Sequence, residues 1–427
     1  MKKNNISIIC FIIYKAFLDI LFCKGTTVQF AYLNRILDFN PVKYLFGWII
    51  YIMILLMINR IQKDTYRFMI KSIFMLSGVA NISIFGLRNY DTKMFIIVLV
   101  FWIILIGLCI IFSNIKKDNN IEKEDIIESL VSNHLNTFLF IIGILITIYE
   151  VKKFGINVSS FASLYQARES FRTQTLSTID SYLLSWNATV ILPWCFLIAL
   201  SNKKYFRCIL VLFFALLMFE INGMKTWLVL YVIIVAFVFL TRKYCLDSSI
   251  NIILISLSIV VLISVIIFII TGSYELVALL DRTIILPGET NYYYLEFFSN
   301  NELLLLRESI FKIFGESPYD PISSVQIAME YMPNAYYHNA TNGLIGDIYG
   351  NFGFIGILLY PVMIFTTYVI LENSTKKYGR PIKSVVLFIL MWMLVNTSFF
   401  TWIMTGGFLI YVLILRFNKK IFIKIKK

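Results

Sequence analysis

Only two histidines occur in 427 residues, and one of them, His338, stands in Tyr336-Tyr337-His338-Asn339 at the close of a long polar stretch, 272–342. With an ordinary pKa near 6.5, an imidazole is the natural side chain to take a proton from a hydroxyl near neutral pH. It is equally at home at a membrane surface, hydrogen-bonded to backbone, and the sequence leaves both readings open. His134 lies at the end of a charged loop, where the plainer reading is stronger.

Arg168 and Arg172 come next, in Gln166-Ala167-Arg168-Glu169-Ser170-Phe171-Arg172. Four residues apart, they share one face if this loop is helical. Their planar forks suit the oxygens of a pyrophosphate, and pairing with Glu169 or Asp180 is the alternative. Arg282, beside Asp281, is a third candidate of lower weight. Lys15 and Asp19, four apart in an apolar segment, should pair with each other, and Glu220 should reach water from the end of its segment. No Walker A loop, H-E-x-x-H or G-x-S-x-G occurs, and no outer loop carries D-x-D. ATP hydrolysis, zinc proteolysis and metal-dependent nucleotide-sugar chemistry therefore lose support.

These groups must be positioned by apolar elements. The chain is 59% hydrophobic and 15% charged, whereas a soluble domain carries about a quarter charged residues. The net charge of +13 sits in short clusters between apolar segments, which fits membrane topology better than nucleic acid. Twelve spans are expected: 5–23, 42–58, 68–87, 94–113, 135–151, 181–200, 205–222, 226–241, 249–271, 343–371, 384–400 and 402–418, the last two a hairpin or one broken helix. Lys2-Lys3 and the run after them read as a first anchor rather than a cleaved leader. With the N-terminus inside, 24 of the 38 basic residues fall on the cytoplasmic side, 13 fall outside and Lys15 lies within a span. That predicts N-in and C-in. The expectation is an all-α polytopic membrane protein, one membrane domain over 1–427, with outer loops at 152–180 and 272–342. The larger loop sets three basic residues against nine acidic ones between Glu275 and Glu330.

Within it, 292–314 reads as an amphipathic interfacial helix, with Tyr292, Tyr293 and Tyr294 in the aromatic belt or against sugar rings. Gly343, Gly346, Gly350, Gly353 and Gly356 follow at steps of 3, 4, 3 and 3, one face along which a neighbouring helix can approach closely. The six cysteines lie in or at the ends of apolar segments, without C-x-x-C, and read as small core residues rather than disulfides or metal ligands.

His338-Asn339 followed by Gly343-Leu344-Ile345-Gly346-Asp347-Ile348-Tyr349-Gly350-Asn351-Phe352-Gly353-Phe354-Ile355-Gly356 resembles the region after the large outer loop of Wzy-type O-antigen polymerases and the related O-antigen ligases. About twelve spans, a late large outer loop and an earlier Arg-bearing one extend the resemblance over the chain. It implies a glycosyltransferase that joins oligosaccharide repeat units carried on undecaprenyl pyrophosphate, on the outer face of the bacterial cytoplasmic membrane, for O-antigen or capsule. His338 would then be the base on the acceptor hydroxyl, with Asn339 contacting substrate. Arg168, Arg172 and Arg282 would bind the donor pyrophosphate in an inverting displacement without metal or cofactor. Implied partners are the lipid-linked oligosaccharide, membrane lipids and a chain-length regulator, and no nucleic acid. A flippase for the same lipid-linked units, an O-antigen ligase and, with less support, a membrane O-acyltransferase remain as alternatives.

Overall fold

Hydrocarbon offers no partner to a free amide, so an apolar stretch of about twenty residues crosses it as a helix that satisfies its own backbone. The computed structural model describes residues 2–115, 130–131, 133–156, 177–309, 315–332, 334, 339–341, 343–418 and 420–421. Among these the protein is all-α, apart from a two-residue antiparallel pairing of Leu130–Val131 with Lys420–Ile421.

Ten helices are long and apolar enough to cross a membrane. They are α1 (Ile6–Gln29), α2 (Pro41–Asn59), α3 (Asp64–Leu87), α4 (Thr92–Asn114), α5 (His134–Phe154), α6 (Thr178–Ser201), α8 (Lys225–Lys243), α9 (Leu246–Thr271), α12 (Gly346–Thr375) and α14 (Phe399–Phe417). Two further apolar helices, α7 (Tyr205–Asn222) and α13 (Arg380–Asn396), have 18 and 17 residues, at the short limit for a span. The large loop adds α10 (Leu286–Asn300) and α11 (Ser323–Tyr331). The last two expected spans take the hairpin form: α13 and α14 are separated by 397–398, and Tyr378 Oη and Lys377 Nζ, beside the start of α13, donate to Leu415 O and Arg416 O at the end of α14. In addition, α14 is itself interrupted between Met404 and Phe408.

The chain divides into two compact units. In the first (residues 1–119, 246–369 and 391–401), α1 packs along α9 and α2 along α3. Polar contacts inside this unit fix registers that apolar packing alone would leave loose. Lys15 donates to Asp19 at 2.8 Å, as its spacing predicts, and its ammonium sits 4.2 Å from the Trp48 ring centroid. The Tyr44 hydroxyl donates to the same carboxylate at 2.7 Å. Asp247, at the start of α9, is shared by Arg67 (3.0 Å) and Lys71 (2.5 Å) of α3.

In the second unit (residues 120–245, 370–390 and 402–427), Asn187 of α6 donates to Gly143 O and to the Thr147 hydroxyl of α5. Asp180 accepts from Lys153 (2.6 Å) and Tyr149 (3.0 Å). The break in α14 frees carbonyls, and Ser185 and Trp186 of α6 donate to Thr405 O and Met404 O.

Four π-helical turns occur among the described residues: Phe22–Thr26, Phe74–Gly78, Asn187–Ile191 and Asp281–Ile285. A π-turn inserts one residue into a helix and re-aims everything after it. Two of them, Phe74–Gly78 and Asp281–Ile285, pack together in the first unit.

Candidate functional site

The site grows from the seam between α10 and the start of α12. Asn291, Tyr294 and Phe298 of α10 recur at steps of 3 and 4, and Gly343, Gly346 and Gly350 recur at the same steps opposite them. A Cβ on Gly346 would lie 2.8 Å from Tyr294 Cβ, and one on Gly350 2.6 Å from Phe298 Cε2. The predicted glycine face is therefore a contact face, but for three of its five members. Gly353 takes φ 57° and ψ −143°, which breaks α12, and Gly356 meets only its own helix. A left-handed φ is a conformation glycine adopts without strain.

The break has structural customers. Gly350 O accepts from Leu304 N at 2.9 Å and Asn351 O from Leu305 N at 3.2 Å, while Asn351 Oδ1 accepts from Leu306 N. The turn after α10 is thus docked on backbone groups that an unbroken helix would use internally. Further on, Glu308 accepts from Ser323 N (2.8 Å) and the Ser323 hydroxyl (2.5 Å), closing the start of α11. Asp347 accepts from Phe399 N at 3.0 Å and so ties α12 to the start of α14.

These anchors enclose a cavity of about 440 Å³. Its polar lining includes the hydroxyls of Ser309, Ser323, Ser324, Ser398 and Thr401, and Asn351. Glu308, Glu316 and Asp347 add carboxylates, Arg307 a guanidinium, and Tyr294 and Phe400 aromatic faces. Such a volume is in the range of small-molecule sites.

Ala340, two residues after His338, is held at the wall: its N–H donates to Ser324 O at 2.8 Å, and Tyr294 Oη donates to its carbonyl at 3.3 Å. On the other side of the histidine, Asn334 donates to Tyr32 O at 2.7 Å. His338 itself lies outside the described residues, as do Arg168 and Arg172. Asn339 and Arg282 are described and exposed.

The tyrosine reading is corrected. Tyr292, Tyr293 and Tyr294 are at most 2% exposed and form no interfacial belt. Tyr292 stacks on Tyr90 at 4.3 Å and donates to Asn81 O; Tyr293 stacks on Tyr331. The helix that carries them starts at Leu286 and ends at Asn300, rather than spanning 292–314. Packed helices surround it on its tyrosine-bearing side, so its rings serve as core.

Sequence reasoning missed a buried ionic cluster under the same helix. Arg35 pairs with Asp281, and its Nη2 lies 2.5 Å from Glu289 Oε2. Arg88 pairs with the other oxygen of Glu289 and donates to Tyr293 Oη at 2.8 Å. Burial alone would raise the Glu289 carboxyl, yet Arg35 and Arg88 outweigh it and hold Glu289 below its ordinary value. Asp281 has Arg35 as its ion-pair partner and Glu289 as a repelling neighbour, so burial wins and its carboxyl is raised. A readable signal existed: Arg35 and Arg88 follow spans expected to run outward, against the positive-inside trend, and the loop carries acids eight apart.

No three His, Cys, Asp or Glu among the described residues are placed to hold a metal ion. The fold defines the class: an all-α, multi-pass membrane protein. Comparison with protein-family models, curated proteins and solved structures gives no match.

Proposed function

We propose that this protein polymerises lipid-linked oligosaccharide repeat units on the outer face of the bacterial cytoplasmic membrane. The observation that carries the reading is that the chain leading out of His338 is hydrogen-bonded, at Ala340, to two lining residues of a hydroxyl-rich cavity. In this reading a sugar of the acceptor unit occupies the cavity with one hydroxyl toward the histidine. His338 takes that hydroxyl's proton as its oxygen attacks the anomeric carbon of the donor glycan. The anomeric C–O bond to pyrophosphate breaks, and the carbon inverts. Undecaprenyl pyrophosphate leaves with the electron pair, its developing charge met by Arg168 and Arg172 with Arg282 as a third contact. No step calls for a metal.

Broken helices give a flippase of the same units a specific foothold, since discontinuous spans are a transporter habit. One experiment separates the readings: the length distribution of surface glycan in a strain deleted for this protein and complemented with wild type or His338→Ala. A ladder restored by wild type and reduced to single units by the variant, at equal membrane abundance, supports the polymerase with His338 as base. A full ladder from His338→Ala removes the histidine from the mechanism. Units trapped on the inner leaflet of the deletion strain identify a flippase.

A further inference from the structure

We propose that the cavity beside Ala340 is an acceptor subsite built for an uncharged or amine-bearing sugar, one that turns away carboxylated sugars; this rests on the polymerase reading and deepens it. The argument is the charge inventory of the wall. Among the described residues three carboxylates line it, Glu308, Glu316 and Asp347, against one guanidinium, that of Arg307. That guanidinium is already engaged: it donates to Glu302 Oε1 at 2.6 Å, Leu303 O at 2.7 Å and Leu304 O at 2.9 Å. Among the described residues no other cation lines the wall; Glu308 and Asp347 also have protein donors of their own, and they keep their negative charge.

The rest of the lining matches a sugar. Ionised carboxylates only accept hydrogen bonds, and sugar hydroxyls and ammonium groups donate them. The serine and threonine hydroxyls serve either role, and the rings of Tyr294 and Phe400 offer apolar faces to the C–H side of a pyranose. An anionic sugar would meet acceptors facing acceptors at close range, in a cleft whose described lining residues carry a net negative charge. The same inventory excludes the donor pyrophosphate from this cavity, so donor and acceptor are sorted by charge: phosphate toward the arginines, polyol toward the carboxylates.

The test uses Ser324→Cys in the full-length protein, in intact cells, with a cationic (trimethylammonium-ethyl) and an anionic (sulfonato-ethyl) methanethiosulfonate. Rates are corrected for intrinsic reactivity with a free thiol and for wild-type background. The cationic reagent should react at least about tenfold faster, the low end of what one-signed clefts do to encounter rates. That preference should shrink in Ser324→Cys combined with Glu316→Gln, an exposed carboxylate whose loss spares the anchors. Equal rates, a faster anionic reagent, or no reaction with either overturns the proposal. A second arm identifies the non-reducing terminal sugar of the single-unit glycan in the deletion strain. A neutral or amino sugar is expected, and a uronic acid overturns the subsite. If deletion leaves the glycan ladder unchanged, the polymerase reading falls, while the thiol rates still decide the charge selectivity of the cavity.

Discussion

The side-chain oxygen of Asn291 accepts hydrogen bonds from two consecutive backbone amides, Ile345 N at 2.8 Å and Gly346 N at 3.0 Å, while its amide nitrogen donates to Asn81 Oδ1 at 3.1 Å. One buried side chain thereby satisfies orphan donors at the start of α12 and links α10 to α3. Asn291→Leu should cost about 1–3 kcal/mol for each amide left unpaired. Asn291→Asp keeps the acceptor and should fall between it and wild type. Thermal unfolding of the detergent-solubilised protein orders the three; a leucine variant as stable as wild type would refute the role.

Gly346→Ala should destabilise by about 1–3 kcal/mol, because its new methyl meets Tyr294 at the Cβ, an atom that cannot swing aside. Gly107→Ala, in α4 with nothing within 4 Å, should be neutral or stabilising by up to about 1 kcal/mol from helix propensity. The two melting temperatures should therefore move in opposite senses, or at least differ clearly.

Lys15 and Asp19 are both buried, at 0% and 5% exposure. Asp19→Ala strands an ammonium and should cost about 3–5 kcal/mol, whereas replacing both by apolar residues of similar volume should recover most of that loss. A double variant, Lys15→Met with Asp19→Leu, as unstable as the single one would show that the pair does more than neutralise itself.

The ionic cluster gives a pH signature. Glu289 is held below its ordinary value of 4.5, so its contribution to stability is present above that pH and fades as pH falls through the lower folded value. The difference in melting temperature between wild type and Glu289→Gln should be large at pH 7 and narrow on acidification below about pH 4.5. A gap that stays constant with pH would mean that the carboxylate's charge is not what the arginines use.

Helix positions were legible because apolar length is what makes a span: the helix 205–222 was read to the residue and most others to within a few positions, while ten of the twelve expected spans are long and apolar enough to cross a membrane. The Lys15–Asp19 pair was legible for a local reason, its i,i+4 spacing. Tyr292–Tyr294 and the Arg35–Glu289–Arg88 cluster were not, since their partners lie far off in sequence: about 200 or more residues for Tyr292 and the cluster, and 46 for Tyr294 with Ala340, while Tyr293 stacks on Tyr331 of another helix. Three tyrosines in a row look the same whether they face water, lipid or other helices. The π-turns left no trace in composition, and Gly353 looked like one more member of a packing stripe until its φ set it apart. Of the site, the glycine frame beside His338 was readable. The cavity was not, because its walls come from five separate stretches of chain.

That scattering bears on biogenesis. The wall draws on Tyr294, on the turn at 304–309, on 316–324, on Asp347 and Asn351, and finally on Ser398, Phe400 and Thr401. Chains emerge from the ribosome N-terminus first, so α10 waits through the insertion of α12 and α13 before the last side of the cavity arrives. Until Thr401 is made and inserted, the cavity lacks its last wall. A nascent chain therefore cannot offer the complete cavity to any ligand during its own synthesis.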